Sequence, residues 1–599
     1  MHFVNTVVKN KLSIFVLSVV VAVALTLTIV YFPVNIISWD VFGYYLYLPQ
    51  LFIYNDLGIN NIDNLNSIVE TYNNTATLYQ IWQTETGDWL IRYTSGQAIM
   101  FAPTFFIAHA VALLTDFPAD GFSLPYQIGL LAGCLIYFVI ALALLRRILL
   151  HFFNDKITAL TILLLFFGTN LFANTILNIA GIHSQLFFLY TIIILFTIRW
   201  HDNPTWKNIL PVALAVGLVI ITRPTDVICL LIPLLWNVFD KKSFKAKIEL
   251  LNSHLPQLIV SAVIVCVIGS LQMIYWKIFS GHFLIDSYNN PAEGLDFLFP
   301  HLYGVLFSFR KGWFIYTPFM LVAMTGFIVM WHRNRKVFTA LFTFMLLDIY
   351  LVSCWSCWWY AVSFSQRAFI QAYVVMAIPL GFVIQYFNES KTRLKLLFYF
   401  VVLILVSLNI FQTWQYEKQI IHGSRMTKTA YFANFFKTNA DDCDERLLLI
   451  DRNASGVECM DSTRNYEEKF VFEKDFGESG FVTDSVTSFT SALEIPYKNL
   501  TQKDHAWLRI SCTAMLLDSS ATDDGLLVVT FYHKGNYKYR TSPLPENMPI
   551  GEWCEFEVSY LTPEVRTPKD PLCVYFWNTS GKPVAVKRFA VWANEEMDN

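Results

Sequence analysis

Residues 12–32 read LSIFVLSVVVAVALTLTIVYF, a stretch with no charged side chain. A run of this length and composition crosses a bilayer as a helix. Lys9 and Lys11 precede it in the manner of a signal peptide. The run is longer than a signal's apolar region, so it reads as an uncleaved first span. A few residues past its end stands Trp39-Asp40. Ionisable groups kept beside lipid are costly and point to function. By itself, though, Asp40 has the look of any juxtamembrane aspartate in water.

The rest of the chain repeats the theme. It has 599 residues, 55% of them hydrophobic and 15% charged, against about 25% charged in a soluble chain. Apolar segments fall near 12–32, 126–146, 157–174, 180–199, 207–222, 226–239, 255–279, 314–331, 337–354, 368–387 and 394–413. Lys and Arg cluster on alternate sides: Arg146, Arg147 and Lys156; Arg199 and Lys207; Lys241, Lys242, Lys245 and Lys247; Arg333, Arg335 and Lys336; Lys391, Arg393 and Lys395. Taken as cytoplasmic, these clusters give about eleven spans, N-terminus inside and C-terminus outside. A crossing by the apolar segment 97–114 would invert every later loop, so it reads as an interfacial or re-entrant helix on the outer side. Arg223-Pro224-Thr225-Asp226 separates two short segments, where Pro224 breaks the helix.

This topology gathers acids and bases on one membrane face. The outer loop from 33 holds Asp40, Asp56, Asp63, Glu70, Glu85, Asp88 and Arg92. His183, Arg223 and Asp226 fall at outer span ends, and a later outer loop holds Tyr288, Arg310 and Lys311. An extracytoplasmic site is the natural consequence. A transporter would place polar groups near mid-membrane in paired broken helices, and only Asp348 stands there. The net charge of −3 gives no hint of nucleic-acid binding.

After residue 413 the pattern changes to a linker over 414–469, then short alternating runs with turn-rich gaps over 470–599. This is the signature of a β-sandwich. Its last runs resemble the closing strands of jelly-roll carbohydrate-binding modules. Trp507, Trp553, Trp577 and Trp592 suit sugar stacking, yet core packing is the commoner use of such residues. Five of the ten cysteines, Cys443, Cys459, Cys512, Cys554 and Cys573, lie in this region, where an extracytoplasmic location would permit disulfides. Cys354 and Cys357 read as packing within an aromatic run.

Four segments together resemble the GT-C glycosyltransferases related to the protein O-mannosyltransferase and aminoarabinose transferase families. They are Trp39-Asp40-Val41-Phe42-Gly43-Tyr44-Tyr45; Arg92 to Gln97 with Ala102-Pro103; Leu306 to Trp313 with Thr317-Pro318; and Trp358 to Arg367. The last two are similar to a bacterial branch in which small residues, often Gly, stand where Ala361 and Ser365 stand here. The resemblance covers residues 1–413, with 33–115 as a first outer loop carrying interfacial helices. It implies a polytopic helical enzyme of the bacterial cytoplasmic (inner) membrane, with its C-terminal domain in the periplasm. It implies transfer of a sugar, with inversion, from a polyprenyl-phosphate donor to a lipid, glycan or protein acceptor.

In that reading Asp40 orients or deprotonates the acceptor. The donor phosphate falls to Arg367, Arg310 and Lys311, with Arg92 and Arg223 behind them. Tyr44, Glu85, Asp88, His183 and Tyr288 are candidates for substrate contact. No cofactor is required; some relatives bind a divalent ion through an Asp-x-Asp pair, and the outer loops here have none. The alternative is a non-catalytic membrane protein that binds or transports an envelope lipid or glycan.

Overall fold

The computed structural model describes residues 11–32, 35–290, 293–452, 460, 465–518, 525–546, 548–579 and 581–597. Lys9 and Cys459 lie outside the described residues. The chain divides into two compact units, one of Met1–Asn289 with Pro300–Cys443 and one of Asn290–Phe299 with Asp444–Asn599.

The first unit is helical. Seven of its helices are long and apolar enough to cross a membrane: Lys11–Val30, Gly96–Leu113, Leu124–Phe152, Ile182–Asp202, Leu255–Ser280, Arg335–Cys354 and Thr392–Glu417. Asp155–Phe167 and Leu171–Leu177, bent by 61°, make an eighth if counted as one broken span. A helix satisfies its own backbone in lipid, and this is the build of a multi-pass membrane protein. Burial separates centre from rim. Ile182–Asp202 is 72% buried over its most apolar stretch, Leu255–Ser280 only 11%. The second presents Ile259, Val263, Val267 and Leu271 outward, as a lipid-facing helix does.

Three more of the expected positions carry shorter apolar helices, Trp206–Thr222, Pro224–Leu235 and Phe319–Arg333. The segment expected as a span over 226–239 is a 3-10 turn, Pro224–Leu230, followed by a short helix, Leu231–Leu235. Pro224 starts this element afresh, and Leu231–Leu235, at five residues, is too short to cross. Gly96–Leu113, expected as interfacial, meets the same length and composition test as the other long helices. The segment expected over 157–174 bends where Asn170 donates from Nδ2 to the Phe364 carbonyl and accepts from the Tyr373 hydroxyl.

Between the first helix and Gly96–Leu113 the chain forms short helices, Trp39–Tyr45, Tyr47–Phe52 and Ile62–Tyr72, and a hairpin of β1 (Ile81–Gln83) and β2 (Trp89–Ile91). Polar side chains tie this loop down. Gln127 Oε1 accepts from the Ile36 and Ile37 amides at 2.8 and 3.0 Å. The Tyr275 hydroxyl accepts from the Ile91 amide at 2.9 Å.

The second unit holds two antiparallel sheets. One runs β5 (Leu493–Pro496), β10 (Pro571–Asn578), β7 (Gly525–Tyr532), β8 (Asn536–Pro543). The other runs β3 (Tyr466–Asp475), β11 (Val584–Glu596), β6 (Trp507–Leu516), β9 (Cys554–Leu561), with β4 (Phe481–Thr483) also on β11. Period-two alternation places Leu572, Val574 and Phe576 in the same core as Leu508, Ile510 and Cys512 of the other sheet. Trp507 belongs to the buried set, whereas Trp592 stays partly exposed under the Arg509 guanidinium at 4.0 Å. Trp577 stacks on Phe489, and Trp553 lies 5.8 Å from the Lys587 amine. Cys512, Cys554 and Cys573 of this unit, and Cys443 at the end of the first, are free thiols. Asp570 accepts from the Tyr537 and Thr567 hydroxyls, the Arg566 and Thr567 amides and His533, and the far side of His533 faces Asp296.

Candidate active site

Asp40 opens a short helix, and the backbone bends to place it. Trp39 has φ 51° and donates its amide to the Asn74 carbonyl at 2.9 Å. A bulky aromatic residue in the left-handed region is strained, and such strain concentrates at functional sites. Gln80 Nε2 fixes the Trp39 carbonyl at 3.1 Å.

The Asp40 carboxylate has three donors. Oδ1 accepts from the Tyr79 hydroxyl at 2.9 Å and the Tyr93 hydroxyl at 2.8 Å. Oδ2 accepts from Arg367 at 3.0 Å, across 327 residues of chain. Burial raises the Asp40 pKa, but the Arg367 charge and the hydrogen bonds from Tyr93 and Tyr79 outweigh it and hold the carboxyl below its ordinary value. The side chain still keeps 36% of its surface open, so solvent screens part of this effect and leaves an approach for a reactant.

Gly43 makes the Tyr93 contact feasible. A Cβ there would meet Tyr93 Cδ2 at 2.4 Å. Tyr44 stacks on the same ring at 4.3 Å, Tyr288 meets it edge-on at 6.4 Å, and the Arg92 guanidinium lies 5.4 Å over the Tyr288 ring. Tyr44, Tyr288 and Arg92 therefore join Asp40 in one aromatic-walled site. Gly96 has a similar role further along, since a Cβ would stand 2.3 Å from Thr222 Oγ1.

Arg367 arrives on a loop with an unusual backbone. Tyr360, Ala361 and Ser365 have φ 49°, 55° and 54°. Ala361 and Ser365 are the positions where the resembling branch often has Gly, which takes up this conformation without strain. Side chains hold the loop in place of glycine freedom. Gln366 Nε2 donates to the Trp358 carbonyl at 2.9 Å, and Lys311 Nζ donates to the Ser363 carbonyl and hydroxyl at 2.5 and 2.8 Å. The stretch after the last long helix closes over it. The Ser363 amide donates to the Gly423 carbonyl at 3.2 Å, and Arg310 Nε to the Ser424 carbonyl at 2.6 Å.

The remaining cations have distinct settings. The Arg310 guanidinium stacks 4.2 Å over Trp359. Lys311 is 1% exposed; burial, then the charges of Arg367 and Arg310, push its amine pKa down. Arg223 donates to the Ala368 carbonyl at 3.0 Å and pairs with buried Asp226 at 3.5 Å, bracing the turn that carries Arg367. His183 is buried with Nδ1 lacking a hydrogen-bond partner. Glu85 and Asp88 sit at the tip of the β1–β2 hairpin, and neither bonds to Asp40 or Arg367. Among the described residues no group of three or more His, Cys, Asp or Glu side chains is placed to share a metal ion.

Tyr79 was not among the sequence candidates, and Tyr93 entered only as part of a motif. Tyr79 lies in an irregular loop where no periodicity singles it out.

No protein-family model and no curated protein matches the chain. Among solved structures it is similar to the archaeal oligosaccharyltransferase AglB from Archaeoglobus fulgidus in complex with an inhibitory peptide and a dolichol-phosphate. The identity is 12% over 76% of this chain and 61% of that one, with TM-score 0.39. It is also similar to the Archaeoglobus fulgidus oligosaccharyltransferase in the apo form, at 14% identity over 76% and 62% with TM-score 0.37. A third is that oligosaccharyltransferase tethered to an acceptor peptide containing the NVT sequon, at 12% over 77% and 62% with TM-score 0.40. The chain spans about three-fifths of the length of these structures. Likeness this remote carries no functional assignment, which rests on the site.

Proposed function

We propose that the chain is a glycosyltransferase of the GT-C kind. It moves a sugar from a polyprenyl-phosphate donor to an acceptor hydroxyl or amine, with inversion, at the outer face of a bacterial cytoplasmic membrane. The observation that carries this reading is the Asp40–Arg367 contact at 3.0 Å. A carboxylate suited to orient an acceptor and a guanidinium suited to hold a phosphate meet beside a long-helix bundle, within an aromatic wall.

In the reaction the acceptor atom attacks the anomeric carbon of the sugar. The bond from that carbon to the phosphate oxygen breaks, and its electron pair leaves with the phosphate. The acceptor proton passes to Asp40. Arg367, with Arg310 as a second cation, stabilises the charge that grows on the phosphate. Tyr44 and Tyr288 offer ring faces to the sugar. Arg223 and Lys311 hold the segment that presents Arg367. No metal enters this scheme.

The basic clusters on alternate loops support a periplasmic site and C-terminal unit. The strand orders β5-β10-β7-β8 and β3-β11-β6-β9 support a jelly-roll reading of that unit.

The test is mass spectrometry of envelope lipids and glycans in a deletion strain carrying wild type or Asp40→Asn at matched levels. Loss of one sugar, accumulation of its polyprenyl-phosphate donor, and rescue by wild type alone are expected. Full rescue by Asp40→Asn would remove Asp40 as the base and favour a binding or transport role.

A further inference from the structure

The proposed reaction gives Asp40 and Arg367 separate tasks, yet in the structure each occupies the other. An Asp40 carboxylate paired with Arg367 is a weak proton acceptor, and an Arg367 whose terminal nitrogen is held by Asp40 cannot give a phosphate a two-point grip. Resting on that reading, we infer that Asp40 is a placeholder for the donor phosphate at Arg367: the lipid phosphate takes over the guanidinium, and Asp40 becomes a competent base only then.

The geometry of the pair supports an exchangeable contact. Arg367 reaches Asp40 through one terminal nitrogen at 3.0 Å, while its Nε is buried with no hydrogen-bond partner. A guanidinium has five donors arranged to bind an oxyanion through two parallel bonds. The single contact leaves that fork half used, and a buried donor without an acceptor is costly. A phosphate brings several acceptor oxygens and can satisfy Nε together with a terminal nitrogen.

Asp40 is built to stay in place when Arg367 turns away. Its other oxygen is held by two hydroxyls on separate segments, Tyr79 before β1 and Tyr93 after β2. Loss of the Arg367 charge would leave the burial of Asp40 less opposed, which raises its affinity for a proton. Donor binding and base activation thereby become one event. The donor binds before the acceptor is activated, and a site without donor does not ionise an acceptor.

The test is binding rather than turnover. The full-length chain is purified in detergent and titrated with undecaprenyl phosphate, with inorganic phosphate and phosphatidylglycerol as separate arms. Thermal unfolding of each variant confirms folding. Asp40→Asn is expected to tighten undecaprenyl phosphate binding on the order of fivefold, the worth of about 1 kcal/mol. Arg367→Gln is expected to weaken it, and phosphatidylglycerol binding is expected to stay unchanged across the set. An equal gain for inorganic phosphate would mark the headgroup, rather than the prenyl chain, as the group that displaces Asp40.

Removing any nearby negative charge could also tighten binding, so Tyr79→Phe is the second arm. It changes no charge but strips one donor from Asp40, which then holds Arg367 harder. Binding is expected to weaken about twofold. Tightening by Asp40→Asn with Tyr79→Phe unchanged is simple charge removal and overturns the placeholder. Weakening by Arg367→Gln with no gain in Asp40→Asn also overturns it, while the glycosyltransferase reading stands. No undecaprenyl phosphate binding by any folded variant overturns both.

Discussion

Gly43 lies against the ring of Tyr93, where a Cβ would stand 2.4 Å from Cδ2 and 2.9 Å from the Gln80 Cβ. Neither neighbour can give way freely, because the Tyr93 hydroxyl bonds Asp40 and Gln80 holds the Trp39 carbonyl. Gly43→Ala is expected to cost about 1–3 kcal/mol of stability through overpacking. It is also expected to cut sugar transfer at least tenfold at temperatures where the protein stays folded. Thermal unfolding and a transfer assay, run together, separate the two effects.

The Asp40 pKa lies below its ordinary value. A depressed carboxylate contributes stability above its unfolded pKa and loses it as pH falls through the folded pKa. The Asp40–Arg367 contribution is therefore expected to persist down to about pH 4, near the unfolded value, and to vanish below it. Tyr93→Phe, which removes one lowering hydrogen bond, is expected to move the acid limb of kcat/KM upward. Because kcat reports the donor-bound site, its acid limb is expected at higher pH than that of kcat/KM. Coincident limbs in a pH-rate profile would contradict a base whose strength depends on the donor.

Ala361 and Ser365 occupy left-handed backbone at φ 55° and 54°. Ala361→Gly and Ser365→Gly relieve about 1 kcal/mol of strain each, offset in part by the greater freedom of glycine in the unfolded chain. A small rise in melting temperature with transfer retained is expected. Ala361→Val puts a β-branched residue where it is a genuine outlier, and is expected to destabilise by at least 1 kcal/mol and to reduce transfer by displacing Arg367.

Asp570 is 4% exposed and satisfies two hydroxyls, two amides and His533 in the second unit. Asp570→Ala strands these donors and is expected to destabilise the sheets by about 3 kcal/mol or more. Circular dichroism monitored through thermal unfolding would read this as early loss of the β signal.

Much of the architecture was legible because the physics is local. Twenty apolar residues declare a span, and short alternating runs between turns declare the β-rich second unit. The bend at Asn170 was not legible, because it arises from bonds to Phe364 and Tyr373 that lie far away in sequence. The break-up of the element after Pro224 is not legible in hydropathy, because an apolar run of that length looks alike in a buried turn and a crossing helix. At the site, Asp40 and Arg367 each stood out by residue type and setting. Their contact did not, since no pattern spans 327 residues. Tyr79 carries no signal at all until the loop is folded.

The carbonyls of Gly423 and Ser424 receive the Ser363 amide and Arg310 Nε, beyond the end of the last long helix. These two acceptors come from a part of the chain that hydropathy alone would discard as a tether. Cutting after the helix Thr392–Glu417 would remove these two acceptors from the Ser363 amide and Arg310 Nε, beside the loop that carries Arg367. A minimal version made for binding or structural work therefore has to run through the helix Lys428–Asn434, whose Tyr431 hydroxyl accepts from Gln412 Nε2 at 2.7 Å. Drawing the membrane part by its hydrophobic spans would remove the roof of the site and retain only its floor.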